Sequence, residues 1–265
     1  MRLAVFIPCV SALIAGCGSR AGDAISVPVP GTGPDCRTDG TAAPNRIECQ
    51  RDPKSPSRQN PATSPVVTID RAVIVAIDGY DETRDGKARG AIYVQDVGSS
   101  APHAGVSLYR PSLLPASAVP AIGDVYTLAG GKYQENTTIG TTVTFPAGQY
   151  LPQISYASGT FAFEFVAPAP AQITPFALGS WSTGEGYVGM LVTVKGITID
   201  TWKDDGKGRI TGTFAPGSAA ASMSNELMAL DDDVKARRSF KSVTGVVTYF
   251  YSLHVAPRSR ADIEF

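Results

Sequence analysis

Histidine is nearly absent. His103 and His254 are the two in 265 residues, and they cannot supply the multi-histidine cluster on which many metal-dependent hydrolases are built. Also missing are a Gly-x-Ser-x-Gly nucleophile elbow and a glycine-rich phosphate loop, so the commonest sequence-legible routes to acyl and phosphoryl transfer are excluded. No charge of one sign dominates: 23 Lys and Arg stand against 24 Asp and Glu. Neither half of the folded region is basic, which argues against affinity resting on a nucleic-acid backbone. Helical periodicity is the last absence. No apolar repeat of 3.6 residues runs beyond two turns, so the expected fold class is all-β. These absences favour a protein that is not an enzyme, with no cofactor and no metal site.

What is present begins with an address. Arg2 precedes an apolar run from Leu3 to Ala15, and Leu13-Ile14-Ala15-Gly16 leads into Cys17. A charged start, a short apolar core and small residues before a cut describe a secretory signal, and the core is too short to span a bilayer. The spacing of Ile14, Ala15 and Gly16 before Cys17 resembles the lipobox of bacterial lipoproteins. That resemblance implies cleavage after Gly16, lipidation of Cys17 (palmitate among the acyl chains) and a membrane partner through the anchor. With Gly18 rather than Asp after the cysteine, it points to the outer membrane in a Gram-negative cell. Residues 1–16 are then the signal.

Cys9 leaves with the signal and Cys17 carries lipid, so Cys36 and Cys49 remain to pair in an oxidising compartment. Such a closure contributes about 3 kcal/mol in the loop-entropy description. From Gly18 to Pro65 there are eight prolines, five glycines and no aromatic residue. Segment 17–65 is therefore expected to be a tether that cannot bury enough apolar surface to fold alone.

Beyond it, Val67, Ile69, Val73, Val75 and Ile77 alternate with Thr68, Asp70, Ala72 and Ala76, which predicts a half-buried strand over 66–78. Further strands are expected around 90–96, 106–109, 123–130, 141–145 and 161–165, the last placing Phe161, Phe163 and Phe165 on one face. The plan then repeats. Asp205-Gly206-Lys207-Gly208-Arg209 turns into Ile210 as Asp85-Gly86-Lys87-Ala88-Arg89 turns into Ala91, and Val243 to Tyr249 echoes Leu128 to Tyr133. Units repeating about 120 residues apart, with glycines inside strands, predict two tandem small β-barrels over 66–165 and 166–265.

Ala91-Ile92-Tyr93-Val94-Gln95-Asp96, then Gly105 to Tyr109, then Ile122-Gly123-Asp124-Val125 through Gly130 resemble the OB-fold modules that accompany secreted bacterial nucleases. Val243 to Val247 and Pro257 to Ile263 resemble the closing strands of those modules. The helix usual between their third and fourth strands is not visible, and nothing resembles the nuclease catalytic domain.

Four groups of residues stand out as candidate sites. Asp78, Asp81, Glu82, Asp85, Asp204 and Asp205 lie in matching turns, where oxygen ligands for Ca²⁺ compete with ordinary turn formation. Asp231-Asp232-Asp233 with Lys235, Arg237 and Arg238 reads as a mixed-charge exposed loop. Trp202, Arg209, Tyr249, Tyr251 and Arg258 are the candidate ligand-binding set, with Phe250 and Arg260 beside them, because OB-like barrels bind by stacking on aromatics next to hydrogen-bonding groups; core packing is the competing role for the aromatics. His254 lacks a visible orienting partner for acid-base work. The resulting expectation is an anchored cell-envelope binding module for a polysaccharide, another extracellular ligand or an envelope protein. A nucleic-acid-binding accessory to a separate nuclease, or a structural envelope component, are the alternatives.

Overall fold

Where apolar and polar residues alternate with period two, a strand can bury one face in a barrel and leave the other to whatever covers it. In a computed structural model that describes residues 45–86, 90–139, 143–166, 168–215 and 221–265, this alternation builds sixteen strands. The first half holds β1 (Val66–Ile77), β2 (Ile92–Asp96), β3 (Gly105–Tyr109), β4 (Ser112–Leu114), β5 (Asp124–Asn136), β6 (Thr138–Ile139), β7 (Val143–Thr144), β8 (Leu151–Ser155) and β9 (Ser158–Glu164). The second holds β10 (Ala171–Ile173), β11 (Leu191–Asp204), β12 (Ile210–Phe214), β13 (Ala221–Ser224), β14 (Ser239–Tyr249), β15 (Leu253–Ala256) and β16 (Ile263–Glu264). The helices are short: α1 (Ile47–Arg51), α2 (Trp181–Gly184) and α3 (Asp232–Ala236). The signal segment, Cys17 and Cys36 lie outside the described residues. No helix among the described residues is long and apolar enough to cross a membrane.

Two closed five-stranded barrels result. In the first the order is β1-β2-β3-β8-β5, with β5 returning to β1 and β3 parallel to β8. The second repeats it as β11-β12-β13-β15-β14, closed by β11 on β14 and parallel between β13 and β15. This is the OB-like topology, present twice. Ile69, Ile74, Leu108, Tyr126, Leu128 and Ile154 fill the first barrel, and Val192, Val194, Ile197, Met223, Phe240 and Val255 the second.

A third cluster joins them. Val73, Val75, Tyr93 and Val125 on the outside of the first barrel pack on Leu191, Leu227, Val246 and Ala256 of the second. The expectation of a half-buried β1 therefore fails beyond Arg71: Ala72 to Ala76 are buried on both faces, because the barrel takes one face and its neighbour the other. Phe161 packs in the first-barrel cluster, edge to face on Tyr126, whereas Phe163 and Phe165 reach the joint. Gly105 and Gly189 meet at this joint, where a Cβ on Gly105 would come within 2.5 Å of the Gly189 carbonyl oxygen. The backbones touch there, so only glycine fits.

Two expectations are corrected. Residues 45–65 are not a detached tether, because α1 is buried along its whole length. Its first amides, from Ile47 and Glu48, each donate to the Asp96 carboxylate at 2.9 Å. Arg51, at its end, donates to the carbonyl oxygens of Gly105 and Val188, one on each side of the joint. A helix of five residues leaves no readable period, and it is stable through tertiary contacts rather than propensity. For the same reason α3, which lies between the third and fourth strands of the second barrel, escaped the sequence.

Candidate functional site

The predicted ligand-binding set does not converge on one groove. Tyr249 is buried in the second barrel, its ring 4.8 Å from Phe145 and 4.6 Å from Trp181, and its hydroxyl meets Gln149. Its phenol is pushed up by burial. Arg258 is held by Asp262 through two bonds of 3.1 and 2.9 Å, and it donates to the Val75 carbonyl of the other barrel at 3.1 Å. It is a latch across the joint. Trp202 lies over Gly212, with its indole nitrogen 3.4 Å from the Arg237 carbonyl. Tyr251 is about half exposed with a left-handed φ of 60°, and its ring touches Phe145 and Phe250.

Arg209 is the member that leads to a site. Its guanidinium sits 2.5 Å from Glu82 and 4.2 Å from the centre of the Phe250 ring. Glu82 belongs to the turn between β1 and β2, Arg209 to the matching turn between β11 and β12. The repeated Asp-Gly turns seen in the sequence therefore face each other, and between them opens a cleft of about 340 Å³ lined by Thr83, Arg84, Asp204, Lys207, Gly208 and Ile210. Arg84 and Lys207 have no carboxylate partner among the described residues, and Arg84 takes a left-handed φ of 54°. In OB-like barrels the loop between the first two strands is one of the two that contact ligand. Here both such loops share one cleft.

The acidic residues of these turns hold backbone. Asp81 accepts from the amides of Asp85 at 3.2 Å and Gly86 at 2.8 Å. Asp205 accepts from Lys207 and Arg209, and Asp204 from Gly206. Among the described residues no three His, Cys, Asp or Glu side chains are grouped to hold a metal. Asp231 caps α3 by accepting from the Val234 amide at 2.8 Å. Asp232 pairs with Lys235, and Asp233 with Arg237 and Arg260, while the guanidinium groups of Arg237 and Arg260 both lie on the Phe265 ring.

His254 does have partners. It faces Ser222 directly across the β13–β15 pair, Nδ1 to Oγ at 2.5 Å, while Nε2 lies 3.3 Å from the Phe250 carbonyl. Burial keeps the imidazole below its usual range, so it is neutral at pH 7. The neutral ring then donates from Nε2 to the carbonyl and accepts the serine proton at Nδ1.

Sequence reasoning missed one cluster altogether. The Tyr150 hydroxyl donates to Glu185 at 2.6 Å, with Arg51 3.6 Å and His103 3.8 Å from the same carboxylate oxygen. Burial and then the Glu185 charge push the Tyr150 phenol far up, so it remains a donor. His103 has a left-handed φ of 71°. These four residues are 134 positions apart at the extremes, and no motif signals their meeting. Each lies at the joint between α1 and the two barrels, where they fix one body against another.

No protein-family model matches the chain, and no curated protein is significantly similar to it.

Proposed function

We propose that the chain is exported, cut before Cys17, lipidated there and held in the cell envelope as a non-enzymatic binding module. The outer membrane is its place in a Gram-negative cell. Cys36 pairs with Cys49 in this reading. The Pro- and Gly-rich stretch between Cys17 and Asn45 is the part left to act as tether. The observation that supports a binding role is the cleft formed by the two facing turns, with Arg84 and Lys207 lacking carboxylate partners beside it. Two cations over a narrow polar cleft suit an acidic segment of an envelope protein. They are too few for a nucleic-acid backbone, which rewards a stripe of neutralising contacts.

The test is expression of the full chain and of Cys17→Ser with labelled palmitate, followed by titration of the detergent-solubilised protein with a glutamate-rich peptide. Label and membrane partition in the parent alone, with peptide affinity that falls as salt rises, are the expected results. A labelled Cys17→Ser chain, or equal affinity for a lysine-rich peptide, would contradict the proposal.

A further inference from the structure

The first barrel keeps a partly open outward face among the described residues. Across β3, β8 and β5 it presents exposed Tyr109 and Lys132 and half-buried Gln153, Gln134 and Asn136, arranged around the buried Ser155 that the register pairs with both Tyr109 and Lys132. At one end stand Tyr109 and Tyr156, 41% and 59% exposed, their rings 5.9 Å apart and nearly perpendicular. Arg110 lies over the Tyr109 ring at 5.2 Å.

The corner is built at a cost. Arg110 and Tyr156 both take left-handed φ, 48° and 59°, joined by a bond from the Tyr156 amide to the Tyr109 carbonyl at 2.9 Å. Non-glycine residues in that region are strained, and such strain collects at ligand sites. Glycine would fold either turn more easily, yet here the chain displays a tyrosine and an arginine.

The rest of the face is preorganised. Asn136 donates to the Gln153 side chain at 3.0 Å, and Ser155 donates to that of Gln134 at 2.8 Å. Each amide is fixed by a neighbour while both glutamine Nε2 groups keep their donors and Asn136 keeps its oxygen. Side chains held in place lose little further entropy when a ligand arrives. Neither Arg110 nor Lys132 has a carboxylate partner among the described residues.

We infer that this face binds an acidic glycan. Exposed tyrosine rings set at a right angle offer a face and an edge to the C–H groups of a sugar ring, the amides read hydroxyls, and the two cations meet its carboxylates. From Tyr156 to Gln153 the face runs about 10 Å at strand spacing, room for roughly two sugar rings. Stacked nucleobases would call for parallel ring faces and more cations. The assignment rests on the envelope reading only for where such a glycan is met.

The test is calorimetric titration of the full chain in detergent with polygalacturonate oligomers, with dextran oligomers and an oligo-dT as comparisons. Expected is binding to polygalacturonate that is weaker at least tenfold for dextran and for Tyr156→Gly, with the melting temperature of that variant unchanged or raised because the strained φ is relieved. Lys132→Gln should weaken polygalacturonate severalfold and leave dextran unaffected. Silence toward polygalacturonate, equal affinity in Tyr156→Gly, or tighter binding of oligo-dT would overturn the inference. Palmitate labelling is read separately, so an unlabelled chain that still binds the glycan would sink the anchor and keep the face.

Discussion

The same three strands of the two barrels have opposite fates. On the first barrel the outward side of the third, fifth and fourth strands leaves Tyr109 and Lys132 exposed and Gln153 and Gln134 half-buried, with only Ser107 and Ser155 buried among them. On the second barrel the corresponding side carries Ser222, Ser224, His254, Thr248, Val246 and Ala256, all buried. Topology does not distinguish the two. What differs is which face each barrel spends on the joint: the second commits its fourth and fifth strands with the start of its first and Leu227, the first its first and second strands with the starts of its third and fourth. A duplicated fold thus becomes an asymmetric pair, with one open face and one shared cleft.

The comparison is broken most severely at Arg51, whose side chain is 1% exposed and serves both barrels and Glu185 at once. Arg51→Ala leaves the buried carbonyls of Gly105 and Val188 and the Glu185 carboxylate short of a donor, at a cost of about 3–5 kcal/mol. Urea unfolding should then resolve two transitions in place of one, and a single unshifted transition would show that α1 does not couple the barrels. Leu191→Ala empties part of the apolar joint and should cost about 2–4 kcal/mol, read as an earlier transition with both barrel cores intact by near-ultraviolet circular dichroism.

Asp96 sharpens the contrast more gently. Burial pushes its carboxyl up to about 7, opposed by Arg46 and the two helix amides, against an ordinary value near 4 when unfolded. A carboxyl raised on folding gives stability that is complete below about pH 4 and is lost as pH climbs through about 7. The parent should therefore lose roughly 3–4 kcal/mol more than Asp96→Asn between pH 4 and pH 8. Parallel profiles for the two would place the Asp96 proton elsewhere.

Much of this was legible and some was not, for reasons that individual residues show. The Gln95-Asp96 pair was picked out as part of a resemblance, but its meaning is tertiary: the Gln95 side chain accepts from the Leu191 amide at 3.0 Å in the other barrel, and Asp96 caps α1. Arg209 is legible as a candidate ligand contact, but its pairing with Glu82 and its place over the Phe250 ring are tertiary. Tyr109 and Tyr156 carried no pattern at all, since their prominence comes from two strained turns 47 residues apart that strand pairing brings together.

By itself the sequence determined the all-β class, the duplication and the matched turns, because period-two alternation and Asp-Gly chemistry act over a few residues and need no distant partner. Only the tertiary structure decided that residues 45–65 belong to the folded body, which face of each barrel stays open, and where the charges of Arg51, Glu82, Arg209 and Glu185 are neutralised. Those outcomes depend on contacts across more than a hundred residues, and a buried charge or an exposed ring is defined by what lies against it.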